Sequence, residues 1–361
     1  MRKFLSFIFT LVLIAGLCAA AYYNRAYLKV QFNKVYGMYY VYKGDQAYKE
    51  LKMNKAIRLY NQGLHLYPGH YGAWYNLGNI YVAYEDYYSA LNAYSQAFKY
   101  NPNMMVARMN YGIISTEKLG NFDAAIEQYN KIIETERHLL SIPYIYDNKV
   151  SSKENKAIAY YNTGVTYRLK SLYTNESWEQ QRLYLSKAIA SYKKSLEISP
   201  NRYDTQYNLG VAYHIAGDYN SAGKCYCRAI KLSPMSYEAH YNLAVLLRKM
   251  KHYDEAYEEI DKASTLISAL DENSSLQEYA AIVMNDIMRN VYRNDEYKSA
   301  LRNILEEEKK KTQKYTKKAK KHSEVILVNG KVSLDEETDK SIVENFGKCP
   351  YLSLFDEDDN F

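Results

Sequence analysis

The chain has 361 residues, four cysteines and a formal net charge of +6, with 24% of residues charged. That charge is modest and not concentrated in the repeats, and no basic stripe or reader module is recognised, so nucleic-acid binding is not expected. Cys18, Cys225, Cys227 and Cys349 show no CxxC or zinc-type spacing, which excludes a metal-ribbon fold and a disulfide-scaffold mini-domain.

Residues 1–30 open Met1-Arg2-Lys3 and then run apolar from Phe4 to Tyr23. The run is about the length that crosses a bilayer, and the basic residues ahead of it keep the N-terminus in the cytoplasm. Two readings compete. A cleaved signal peptide would use Ala19-Ala20-Ala21, and an uncleaved anchor would tether everything that follows. The run is longer than a signal core, so the anchor is adopted. Leu17 directly ahead of Cys18 argues against a lipoprotein site. Either reading carries the rest of the chain out of the cytoplasm, and a bacterial periplasm is the expected compartment. Residues 24–36, with Arg25, Lys29 and Lys34 among Tyr27, Leu28, Val30 and Val35, form an amphipathic connector.

A periodic frame then begins. It is clearest at Trp74, Leu77-Gly78, Tyr81, Ala90, Tyr94, Ala97 and Pro102. Gly78 and Ala90 are small where two antiparallel helices cross, the aromatics fill the space beside them, and Pro102 cannot continue a helical ladder. The frame recurs upstream at Gly44, Ala56, Tyr60, Gly63 and Pro68. Downstream it recurs at Gly112, Ala125 and Tyr129, at Gly164, Ala188 and Tyr192, at Gly210, Ala222 and Tyr226, and at Ala244, Ala256 and Ile260. Most of the 42 tyrosines fall at or beside the aromatic positions of this frame. Over roughly residues 37–268 the chain resembles the tetratricopeptide repeat (TPR) family, whose unit is about 34 residues long. The resemblance implies an all-α, right-handed superhelical solenoid of about six helix pairs, occupying residues 31–268.

Two insertions interrupt the array. Residues 137–156, with Pro143, Asp147, Asn148, Ser151 and Ser152, read as a loop, and a longer insertion falls at 171–182. Residues 269–308 read as capping helices, through Leu276, Tyr279, Ala280, Val283, Ile287 and Val291 at helical spacing. The 309–361 tail is Lys-rich over 309–322 and acidic at its end, and is expected to be mostly extended. Val325–Val328 and Lys331–Leu334 around Asn329-Gly330 read as a short hairpin. Cys225 and Cys227, two apart on a helix, point to different sides and read as small helix residues.

No HExxH, phosphate loop or GxSxG elbow is present, so the chain reads as a non-enzyme with no cofactor and no metal. The residue two before the helix crossing is asparagine in five repeats: Asn76, Asn110, Asn162, Asn208 and Asn242. The residue before it is Tyr75, Tyr161, Tyr207 or Tyr241 in four of them. An amide offers donors and acceptors to a peptide backbone whatever its side chains. The resemblance implies that first helices line a concave surface, where such an asparagine ladder holds extended peptide, as in the O-GlcNAc transferases. Inter-repeat hydrogen bonding is the alternative use of the same amides. A carboxylate clamp is disfavoured because Lys49, Arg168, Arg248 and Lys249 are dispersed. The expected partners are therefore proteins or extended peptide segments, plus a membrane through residues 4–23. The expected role is a scaffold in assembly of an envelope complex, such as a flagellar motor, pilus or secretion apparatus. The alternatives are a secreted soluble factor and an adaptor in cell-wall or outer-membrane biogenesis.

Overall fold

The computed structural model describes residues 2–134, 148–270, 275–291, 326–328, 331–333, 347 and 349–355. The chain forms two compact units, Met1–Ser141 and Ile142–Phe361. In the first, α1 (Arg2–Tyr23) is followed by three helix pairs: α2 (Arg25–Lys49) with α3 (Met53–Leu66), α4 (Tyr71–Ala83) with α5 (Tyr87–Tyr100), and α6 (Met105–Glu117) with α7 (Phe122–Glu134). The second holds α8 (Asn148–Tyr173) with α9 (Trp178–Ile198), α10 (Tyr203–Ala216) with α11 (Tyr219–Leu232), and α12 (Tyr237–Lys249) with α13 (Tyr253–Leu270). Then come α14 (Ser275–Val291), an antiparallel hairpin of β1 (Ile326–Val328) and β2 (Lys331–Ser333), and a 3-10 helix (Pro350–Phe355).

Each pair closes in the same way. A second-helix tyrosine lies against a first-helix glycine, and the tyrosines Tyr60, Tyr94, Tyr129, Tyr192 and Tyr226 are at most 1% exposed. A Cβ added at Gly44, Gly112, Gly164 or Gly210 would lie 2.5–2.8 Å from the ring facing it, closer than carbon atoms approach. In the sixth pair Ala244 and Ile260 take these places, both fully buried. The small alanines Ala56, Ala90, Ala125, Ala188, Ala222 and Ala256 are likewise fully buried. The turn inside a pair places one residue in the left-handed region: Leu51, Glu85, Gly120, Gly217 or Lys251. Asp86 and Asp218 then cap the next helix, accepting from the Ser89 and Ser221 amides.

Several sequence expectations are corrected. Residues 148–156 are not loop but the first turns of α8, which runs without a break from Asn148 to Tyr173. Of the expected 137–156 loop, residues 137–147 lie outside the described residues. The 171–182 insertion is absorbed by lengthening: α8 runs to Tyr173, Ser177 caps the Gln180 amide, and α9 starts at Trp178. Within the tail, Pro350–Phe355 is a docked 3-10 helix, a local element that the sequence reading did not include. Cys227 is not a mere small helix residue. It is disulfide-bonded to Cys349, 122 residues away, with Cα atoms 5.3 Å apart. Cys225 remains a buried thiol. The expected second capping helix beyond 291 and the lysine run at 309–322 lie outside the described residues. Among the described residues no helix is long and apolar enough to cross a membrane.

Candidate functional site

The five asparagines sit on the first helices of their pairs, each half-buried. Frame and helix place them there: the position is two residues before the crossing glycine or alanine, so it faces obliquely out of the pair rather than into it. Where the preceding repeat offers a tyrosine, the amide meets it. Asn110 Nδ2 donates to Tyr75 OH at 3.5 Å, Asn208 Nδ2 to Tyr161 OH at 3.4 Å, and Asn242 Nδ2 to Tyr207 OH at 2.7 Å. Each receiving tyrosine also leans on the buried tyrosine of its own pair, with ring centroids 5.9 Å apart for Tyr75–Tyr94, 6.1 Å for Tyr161–Tyr192 and 6.2 Å for Tyr207–Tyr226. The repeated unit is therefore a tyrosine tilted against the buried ring of its own repeat and hydrogen-bonded by the next one. Burial first, then the nearby Glu238 carboxylate, pushes the Tyr207 hydroxyl up to about 12, so it stays protonated and neutral.

The remaining rungs differ for legible reasons. The first repeat has Val41 and Tyr42 where the frame has tyrosine and asparagine. Asn76 instead donates to Asp45 Oδ1 at 3.1 Å and Tyr60 OH at 3.2 Å, while Tyr60 OH donates to the same Asp45 oxygen at 2.7 Å. The third repeat has Met109 before its asparagine. For Asn162, the backbone carbonyl accepts from Thr166 Oγ1 at 2.8 Å. Tyr241 belongs to the last asparagine-bearing repeat and packs into the apolar cluster of α11–α13.

These contacts divide the ladder. Among the described residues the carboxamide oxygens of Asn76, Asn110 and Asn242 receive no hydrogen bond, so three acceptors are open. Asn208 is closed on both sides: its oxygen accepts from Arg168 at 3.3 Å and its N–H also reaches the Asp204 carbonyl at 2.8 Å. Asp45 and Arg168 were missed as ladder residues because neither occupies the repeated position. Only the folded packing brings them to it. Arg248, weighed for a carboxylate clamp, is engaged by Asp286 of α14 at 2.7 Å. Among the described residues no group of three His, Cys, Asp or Glu side chains is arranged to hold a metal ion.

Comparison with known proteins fits this architecture. The family described as tetratricopeptide repeat matches residues 71–104, 191–224 and 237–269, and that described as TPR repeat matches 212–251. A stretch of 86 residues is 35% identical to the UDP-N-acetylglucosamine--peptide N-acetylglucosaminyltransferase of Giardia intestinalis, covering 24% of this chain and 6% of that protein. A stretch of 65 residues is 37% identical to the tetratricopeptide repeat domain-containing protein PYG7, chloroplastic, of Arabidopsis thaliana, covering 18% of this chain and 22% of that one. The chain thus spans less than a quarter of either relative. Among solved structures, the type IV pilus biogenesis factor PilW superposes with a TM-score of 0.49 at 15% identity, over 68% of this chain and 98% of that one.

Proposed function

This chain belongs to the tetratricopeptide repeat family, and on that premise we propose that it is a scaffold holding extended peptide segments of partner proteins against its first helices. The observation that carries the reading is the set of open amide oxygens at Asn76, Asn110 and Asn242. Each is held in place by its own N–H bonds to tyrosine or aspartate. An acceptor already fixed by its neighbours meets a peptide N–H without first losing its own freedom, which is what makes preorganised binding favourable. Tyr75 and Tyr207 flank these amides with rigid, amphipathic surface.

We further propose that the scaffold is tethered by residues 4–23 on the extracytoplasmic side of a cell membrane and serves assembly of a multi-protein envelope complex. Two features support it. The sequence from Phe4 to Tyr23 contains no Asp, Glu, Lys or Arg and lies in the continuous helix α1. The Cys227–Cys349 disulfide suits an oxidising compartment.

The test is co-purification from membranes. The native chain is compared with a variant carrying alanine at Asn76, Asn110 and Asn242, and with Asn208→Ala. A partner lost in the triple variant and retained in Asn208→Ala, with helical circular dichroism unchanged, supports peptide binding at these amides. A partner retained in both sinks it. N-terminal sequencing of the mature chain separates anchor from cleaved signal, since a start near Tyr22 removes the tether.

A further inference from the structure

The fifth repeat departs from its siblings at two places on one face of α11, and the departures match two features of the C-terminal segment. The residue after the invariant crossing alanine is Ile57, Leu91, Ile126, Ile189 or Tyr257 in the other repeats, and Gly223 here. Glycine in a helix interior costs about 1 kcal/mol relative to alanine, and Gly223 does not lie under the tyrosine of its own pair. A Cβ there would lie 2.5 Å from Cδ1 and Cζ of Phe355, which is 1% exposed. Phe355 thus fills the place that a large side chain holds in every other repeat. One turn further, the siblings carry Asn61, Ser95, Asn130, Lys193 and Asp261, and α11 carries Cys227, bonded to Cys349. Positions four apart on a helix share a face. On the 3-10 helix Tyr351 and Phe355 are buried, while Leu352 and Ser353 are exposed. Tyr351 OH donates to the Glu258 carboxylate on α13.

We propose that the outer surface of α11 and α13 is a docking site whose ligand is the chain's own Cys349–Phe355, and that oxidation of Cys227 and Cys349 latches it shut. The ligand class is a short segment with two aromatic anchors four residues apart. Docking puts the two thiols side by side. The Cys349 thiolate attacks a sulfur of a low-molecular-weight disulfide, releasing one thiol of that oxidant. The Cys227 thiolate then displaces the second thiol from the mixed disulfide. Two protons leave the cysteines and two electrons pass to the oxidant. This inference does not depend on the asparagine groove, and its readout touches none of those residues.

The experiment uses the full chain, reduced and then exposed to oxidised glutathione. Free thiols are alkylated at intervals, and the Cys227–Cys349 peptide pair is quantified by mass. Phe355→Ala, which lies outside the repeats, and Gly223→Ile, which restores the side chain of the sibling repeats, are run alongside. Far-UV dichroism of the reduced proteins verifies the fold. The native chain should form the pair, and each variant should form it about tenfold or more slowly, because docking supplies the effective concentration. Absence of the pair in the oxidised native chain overturns the proposal. Equal rates in the native chain and Phe355→Ala also overturn it.

Discussion

At Gly78 a hydrogen atom occupies the place of a side chain, and the Tyr94 ring takes the room: a Cβ would lie 2.6 Å from its Cδ1. Gly78→Leu should therefore cost roughly 1–3 kcal/mol or more by overpacking, read as a lowered denaturant midpoint. A midpoint within error of the native chain would show that the crossing can open. The same contact explains why the repeat frame was legible in the sequence: only a residue without a side chain fits beneath a buried ring, so the glycines mark every crossing but the last. Other residues were not legible, because their roles come from partners far along the chain. Nothing near Gly223 in sequence points to Phe355, and Asp45 enters the Asn76 site through folding alone. Leu51 offers a second residue-scale test. It is 77% exposed with φ of 57°, a conformation that costs a side-chain-bearing residue about 1–2 kcal/mol. Leu51→Gly should raise stability by roughly 0.5–1 kcal/mol after the entropy that glycine adds to the unfolded chain. Chemical denaturation measures it.

Between elements, the asparagine–tyrosine rungs join one repeat to the next. Neutral hydrogen bonds of this kind contribute about 0.5–1.5 kcal/mol each. Asn242→Ala removes the 2.7 Å bond to Tyr207 and should lower stability by about that amount, in addition to weakening peptide binding. Asn110→Ala, whose bond to Tyr75 is 3.5 Å long, should cost less. Denaturation midpoints of the two variants, compared with binding of a partner peptide, separate interface stability from recognition. The five positions were legible from spacing, but their division into open and closed rungs was not, since Arg168 reaches Asn208 from 40 residues away. Helix boundaries followed the same rule. Asn148, Ser151 and Ser152 favour loops locally, yet α8 incorporates them, because packing of the long α8–α9 pair outweighs weak local preference.

Over the whole molecule, two devices act at a distance. The Cys227–Cys349 bond joins α11 to the C-terminal segment across 122 residues. Its loss in Cys349→Ser should cost about 2–4 kcal/mol, chiefly by freeing the unfolded chain, and melting with and without reductant should differ for the native chain but not for the variant. The second device is the set of buried tyrosines carried by both units. Burial pushes Tyr94 up to about 12, raises Tyr60, Tyr192 and Tyr226 still further, and, followed by the Glu238 carboxylate, brings Tyr207 to about 12. The unfolded chain releases these protons near its ordinary value of 10.0. Above that pH the folded state holds more protons than the unfolded one, so stability falls as pH rises. The contribution is intact below about pH 10 and is lost progressively through pH 12. Denaturant midpoints should therefore be level from pH 8 to 9.5 and drop steeply by pH 11. Lysines also discharge in this range, so the slope alone does not identify its source. Tyr94→Phe and Tyr226→Phe separate the two. Each removes a hydroxyl whose ionisation is disfavoured only in the folded state, so each should flatten the alkaline limb while leaving that lysine chemistry in place. A limb equally steep in both phenylalanine variants would remove Tyr94 and Tyr226 from the account.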